Sequence, residues 1–143
     1  MTLSLDASVW LASLSPSEPD HVASRAIIMR ALAREVPTHQ PVLFIIEICA
    51  AIARRTRKRD LAMQAGRAAL QWPFLVLHEL DHTLAADAAS VAATCALRGA
   101  DAVYVATARH AGSVLVTLDR EMLERASAVV EVATPREWLD ANR

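Results

Sequence analysis

The stretch from Asp101 to Ala111 constrains the fold of this chain more than any other. It runs Asp101-Ala102-Val103-Tyr104-Val105-Ala106-Thr107-Ala108 before Arg109 and His110, and nearly every position is small or apolar. Gly99 before it and Gly112 after it are natural stops, so the spacing predicts a helix of about ten residues. A helix that is apolar nearly all round should be buried. Asp101 stands at its opening, and an ionised carboxylate in an apolar setting is costly unless a cation or donors compensate it. What compensates Asp101 is the question the rest of the sequence has to answer.

The remaining elements alternate. Residues 2–6 form a short strand ending on Asp6, and residues 7–14 a short helix. Asp20 can cap a helix over 21–35, and residues 37–41, between two prolines, are expected to be a loop. Residues 42–46 are a continuous apolar run, short enough for a buried strand or for the opening of a helix. Ile45, Ile48, Cys49 and Ile52 then recur at helical spacing, and that helix ends in the basic run Arg54-Arg55-Thr56-Arg57-Lys58-Arg59. Asp60 starts another helix, to about Gln71. Strands are expected at 74–77, 113–117 and 129–132. Helices are expected from Thr83 or Leu84 to Arg98, at 120–124, and after Thr134-Pro135, where proline suits the first helical position. Several of the strands are short continuous apolar runs, the pattern of a parallel sheet covered on both faces. The expected fold is α/β, with a mainly parallel central sheet of four to five strands between helical layers.

At 143 residues the length suits one domain, and no repeat or linker divides it. Fifteen basic against 16 acidic residues, for a net charge of -1, exclude a globally basic nucleic-acid binder and leave only a local basic surface to be sought. Cys49 and Cys95 both fall in helical patterns without a paired-cysteine motif, so they read as reduced core residues. The opening residues lack a basic segment followed by an apolar one, and no apolar run approaches the ~20 residues of a membrane span. A cytoplasmic location without membrane contact is expected.

Four acids occupy places where an acid is tolerated and useful. Asp6 and Asp119 follow strands, where functional groups of open α/β sheets collect. Asp101 opens a helix, and Glu47 lies at or near the start of another, where the unpaired N–H groups favour negative charge. Carboxylates crowded together repel one another unless a cation is present. Hard oxygen donors suit Mg²⁺ or Mn²⁺. A pocket of this kind repels any polyanion unless basic groups flank it. Arg54, Arg55, Arg57, Lys58, Arg98, Arg109 and Arg120 are the candidates to do so.

The segments carrying these acids resemble those of PIN-domain ribonucleases, of the type found as the toxin in bacterial VapBC toxin–antitoxin pairs. Leu3-Ser4-Leu5-Asp6-Ala7-Ser8-Val9 resembles the family's opening strand with its Asp-x-Ser, and Ile46-Glu47-Ile48-Cys49-Ala50-Ala51 its second acid and helix. Leu97-Arg98-Gly99-Ala100-Asp101-Ala102-Val103-Tyr104 resembles the third segment and Val116-Thr117-Leu118-Asp119-Arg120-Glu121 the fourth, with its Thr-x-Asp. The order and nearly the whole length agree, which implies a single three-layer PIN-like domain over residues 1–143. Ala7 and Ile46 depart from the pattern, where hydroxyl residues are common, and neither removes an acid. The resemblance implies a metal site of Asp6, Glu47, Asp101 and Asp119 with Ser8 and Thr117 beside it, binding Mg²⁺ or Mn²⁺. It further implies an endoribonuclease leaving a 5′-phosphate and a 3′-hydroxyl, a VapB-like antitoxin whose C-terminal segment blocks the pocket, and a homodimer. The helices at 21–35 and 42–56 would contribute to that dimer.

Two rival functions have sequence features of their own. A non-catalytic PIN-like binding or scaffold module would be expected to lack one or more of the acids, and all four positions are filled here. His78-Glu79-Leu80-Asp81-His82 matches the H-E-x-x-H pattern of zinc metalloproteases, which requires both histidines on one face of a helix. Here it follows a strand, and the next helix is expected to start only near Thr83. His21, His39 and His110 are expected at the surface, and Trp10, Trp72 and Trp138 as core or interface anchors. Tyr104 is expected in the core or at the pocket rim, without a catalytic role.

Overall fold

The computed structural model describes residues 1–143. Five parallel strands form one sheet: β1 (Leu3–Leu5), β2 (Thr38–Pro41), β3 (Leu75–His78), β4 (Val114–Val116) and β5 (Val132–Ala133), in the order β3-β2-β1-β4-β5. The first strand of the chain is therefore the central one. Leu3 lies opposite Thr38 on one side and Val114 on the other. Its three residues are fully buried, so the alternation of Leu3-Ser4-Leu5 marks no solvent face; Ser4 is satisfied inside by Ser113 Oγ at 2.7 Å.

Helices fill every crossover. α1 (Ala7–Leu14) and α2 (His21–Ala33) join β1 to β2, and α3 (Leu43–Thr56) and α4 (Arg59–Leu70) join β2 to β3. α5 (His82–Cys95) and α6 (Gly99–Ala111) lead back across the sheet to β4. α7 (Arg120–Arg125) and a short 3₁₀ turn lead to β5, and α8 (Pro135–Ala141) follows. The first two crossovers step one way along the sheet and the last two step the other. Right-handed connections therefore put α1–α4 and α5–α7 on opposite faces. That is the layered α/β arrangement expected from the short apolar strands.

The helix from Asp101 is as buried as its sequence requires, with Ala102 to Ala108 all buried. It starts at Gly99, two residues early, and Gly112 ends it in the left-handed conformation, with φ of 59°. α8 carries a complete capping box between Thr134 and Glu137 with Pro135 at its start. Both cysteines are free thiols. Cys49 explains a close approach between α3 and α4: a Cβ added at Gly66 would sit 2.5 Å from its Sγ, so only glycine lets the two helices meet there.

Two expectations are corrected and one open choice is decided. Residues 38–41 are a strand rather than a loop. β2 survives its polar sequence because it is hydrogen-bonded along both sides, by β1 and β3. The apolar run at 42–46 is the opening of α3, its apolar side chains packing sideways into the core through Phe44 and Ile48. The last strand keeps only Val132 and Ala133, because residues 126–128 coil into the 3₁₀ turn. No helix is long and apolar enough to cross a membrane.

Candidate active site

Asp6 leaves the end of β1 and stands at the N-cap of α1 without using its side chain as a cap. Two hydroxyls hold the carboxylate instead. Ser8 Oγ donates to Asp6 Oδ2 at 2.5 Å and Thr117 Oγ1 donates to the same oxygen at 3.0 Å. Thr117 follows β4, and the Asp6 N–H donates to the Val116 carbonyl at 2.9 Å, so the two central strands deliver these groups together. Burial pushes the Asp6 carboxyl above its usual range, and the two hydroxyl hydrogen bonds pull against that.

The same hydroxyls reach the next acid. Thr117 Oγ1 accepts the Asp119 N–H at 3.0 Å, and Ser8 Oγ accepts the Leu118 N–H at 3.2 Å. Asp119 caps α7 with one oxygen, Oδ1, which accepts the Met122 N–H at 3.1 Å. Its other oxygen accepts from Arg98 Nη2 at 3.3 Å, and Arg98 Nε reaches Asp101 Oδ2 at 3.4 Å. One guanidinium therefore bridges the acid at the start of α6 and the acid before α7. Burial raises the Asp101 carboxyl; Arg98 lowers it, and the charges of Asp6 and Asp119 raise it again.

Glu47 enters from the opposite face of the sheet. It lies in the second turn of α3 rather than at its start, and its Oε2 accepts the Tyr104 hydroxyl at 2.8 Å. Tyr104 is three residues after Asp101 and so shares its side of α6. Burial pushes Glu47 up, the tyrosine bond opposes this, and the charges of Asp6 and Asp101 push it further up. Tyr104 is fully buried, and its hydroxyl is pushed far above its ordinary value by that burial and by Glu47. Its position in the core fits expectation, but its bond to an acid was not foreseen; the i, i+3 spacing from Asp101 was the available signal.

The four acids from four segments are thus linked through hydroxyls and one arginine, and the charges of Asp6 and Asp101 reach Glu47 while those of Asp6 and Asp119 reach Asp101. No three His, Cys, Asp or Glu side chains close tightly enough to cage an ion. Mutual repulsion, visible in the raised Glu47 and Asp101, keeps such carboxylates apart. Mg²⁺, which retains several waters, uses only one or two carboxylates directly and does not need a closed cage. The donor set, all hard oxygen and short of compensating cations, fits a cation of that class.

The basic candidates divide. Arg98 alone contacts the pocket acids. Arg54 and Arg55 lie in the last turn of α3, Arg57 is its left-handed C-cap with φ of 58°, and Lys58 caps α4. At ~1.5 Å per helical residue they sit roughly 10 Å or more beyond Glu47. Arg55 pairs with Glu18 at 3.0 Å instead. Arg120, the first residue of α7, makes no ion pair, and neither does Arg109 near the far end of α6.

The H-E-x-x-H reading fails on geometry. His78 ends β3 and His82 begins α5, so the two never share a helix face. His78 Nε2 instead lies 2.9 Å from His39 Nδ1 on the neighbouring strand, and burial lowers both imidazoles. Asp81 caps α5 through the Leu84 N–H. Trp10 and Trp138 are buried in the core, and Trp72 packs edge-on against Trp10.

Solved structures repeat this architecture. FitAcB from Neisseria gonorrhoeae is 18% identical, with a TM-score of 0.72, over 94% of this chain and 99% of that one. DNA-bound VapBC from Salmonella typhimurium is 13% identical, with a TM-score of 0.72, over 94% of this chain and 98% of that one. VapC20 of Mycobacterium tuberculosis, a toxin that cleaves the sarcin–ricin loop, is 18% identical, with a TM-score of 0.70, over 90% and 96%. At such identities the likeness is one of fold. No curated protein matches the sequence. The PIN domain family matches residues 3–128, taking in all four acids, and the chain belongs to that family.

Proposed function

We propose that this chain is a divalent-metal-dependent endoribonuclease, a single PIN domain over residues 1–143, acting as the toxin of a toxin–antitoxin pair. The observation that carries the reading is the grouping of Asp6, Glu47, Asp101 and Asp119 from four segments, with burial raising the first three and repulsion from neighbouring acids raising Glu47 and Asp101 further. An arrangement that holds carboxylates together against repulsion is kept for a cation.

Asp6 and Asp101, with Glu47 and Asp119, would hold Mg²⁺ or Mn²⁺. When bound, such a cation offsets charge developing on the scissile phosphate and makes water a better nucleophile. Ser8 and Thr117 fix the Asp6 carboxylate, so its donor oxygen keeps one orientation through the reaction. Tyr104 fixes the Glu47 carboxylate in the same way, through Oε2. Water adds to phosphorus as the bond to the 3′ oxygen breaks, leaving a 5′-phosphate and a 3′-hydroxyl. Arg54, Arg55, Arg57, Lys58, Arg98 and Arg120 are proposed to meet RNA phosphates.

The toxin role is supported by neighbours solved as VapBC and FitAB complexes, three of them with DNA bound. A VapB-like antitoxin and a cytoplasmic setting follow from that reading. A homodimer would cover exposed apolar side chains such as Val22 and Met29 on α2 and Ile46 on α3. All four acids are in place, which favours an enzyme over a scaffold module. The test is thermal melting and RNA cleavage across a Mn²⁺ titration. Mn²⁺ should raise the melting temperature and support cleavage, and Asp101→Asn should lose both effects. A wild-type chain with neither response would sink the reading.

A further inference from the structure

Arg98 is the single cation in contact with the pocket acids, and its geometry is unusual for a surface arginine. Its side chain is 72% exposed, whereas those of Asp101 and Asp119 are only 15% and 27% exposed. The arginine thus reaches two largely buried acids from a largely exposed position. It occupies the N-cap of α6 in an extended conformation, with φ of -64° and ψ of 152°. Gly99 beside it has open space, with nothing within 4 Å of where a Cβ would lie. Nothing but the two carboxylates holds the guanidinium where it is.

We propose that Arg98 is a built-in latch on the acidic pocket: it bridges Asp101 and Asp119 while no divalent cation is bound, and gives way when one arrives. This rests on the nuclease reading, since the latch competes with the metal that reading requires. The bonds suit the role. At 3.3 and 3.4 Å they lie beyond the 2.7–2.9 Å usual for charge-assisted bonds, and each comes from a different nitrogen, so neither is a bidentate clamp. A pair whose arginine lies largely in solvent is weak, whereas a divalent ion would bring two charges into the field of all four acids. Asp119 can release Arg98 without disturbing α7, because the oxygen that caps the helix is the other one. Displaced, the guanidinium stays tethered at the pocket mouth, in reach of an RNA phosphate that approaches the metal. The positive charge that neutralises the empty pocket becomes one that recruits substrate to the filled one.

Two readouts of Arg98→Gln separate a latch from a merely structural residue, because they move in opposite directions. Mn²⁺ affinity, measured by calorimetry on the full chain, should tighten by about fivefold, the scale of a lost exposed ion pair. At saturating Mn²⁺, KM for a single-stranded RNA oligomer should rise, and its log–log salt slope should fall by about 0.7, one phosphate contact. Arg98→Lys, which can reach only one acid at a time, should fall between. Unchanged or weakened Mn²⁺ binding in Arg98→Gln, with Asp101→Asn still abolishing it, overturns the latch and leaves the nuclease reading standing. A wild-type chain that binds no Mn²⁺ overturns both. Loss of metal and RNA binding together, with a lowered melting temperature, makes Arg98 a structural brace and also overturns the latch.

Discussion

The two walls of the pocket are held by opposite means. On the inner wall, Asp6 and Glu47 are oriented by neutral hydroxyls, from Ser8, Thr117 and the buried Tyr104. On the outer wall, Asp101 and Asp119 share a charged, exposed arginine. A hydroxyl fixes the direction of a carboxylate and leaves its charge in place, whereas a guanidinium cancels charge and fixes direction loosely. The inner wall is therefore preorganised and electrostatically unsatisfied, while the outer wall is satisfied and adjustable. Charge left uncompensated where geometry is firm is how a protein keeps a site for a cation it does not itself supply.

The largest effect should come from the inner wall. Asp6→Asn keeps the size of the side chain and removes the charge, and RNA cleavage should fall by roughly 10²–10³-fold, the range for loss of one preorganised electrostatic group. Circular dichroism should show the fold intact; an active Asp6→Asn would erase the distinction between the walls. Next in size are the hydroxyls. Tyr104→Phe and Thr117→Val alter no charge, yet each should weaken Mn²⁺ binding by about 10-fold, as for other groups that orient ligands. If calorimetry finds these variants equal to wild type, the inner wall is not preorganised.

The smallest effect is thermodynamic and has a definite sign. Asp6, Glu47 and Asp101 have folded values raised above 3.8, 4.5 and 3.8, so the folded chain binds more protons than the unfolded one. Their contribution to stability is complete below those ordinary values and is lost as pH rises through the raised ones. In EDTA the melting temperature should therefore decline over that window, and saturating Mn²⁺ should reverse the decline near neutrality. Asp101→Asn should melt roughly 2–4 °C above wild type in EDTA at neutral pH, the shift that about 1 kcal/mol gives, while being inactive. A variant melting below wild type would mean that Arg98 compensates Asp101 in full.

What could be read from the sequence follows from how local its cause is. α6 is legible because its all-apolar surface and its two glycines are its own properties. α8 is legible because Thr134, Pro135 and Glu137 specify a start within four residues. β2 was not legible: Thr38, His39, Gln40 and Pro41 carry no strand signal. Gln40 is fully buried with both amide atoms lacking a hydrogen-bond partner, a cost no local rule predicts. Its strand state comes from neighbours 35 residues before and 37 after, Leu3 to Thr38 and Gln40 to Leu77. The acids could be read because each sits in a recognisable segment. Their compensation could not, because the Arg98–Asp119 and Tyr104–Glu47 contacts join residues that only the closed fold brings together.

The place of β1 in the sheet bears on how the chain is made. The strand synthesised first is the one that must wait longest, since its partner on one side, β4, begins at Val114. Asp6 depends on Thr117 for its hydrogen bond, and the last acid is Asp119. At ~5–20 residues per second of translation, most of the synthesis time passes before Asp101 and Asp119 are made at all. An unfinished chain carries three carboxylates and no pocket. On the nuclease reading proposed above, cutting begins only near the end of synthesis, and a partner that captures the newborn chain has that interval in which to bind.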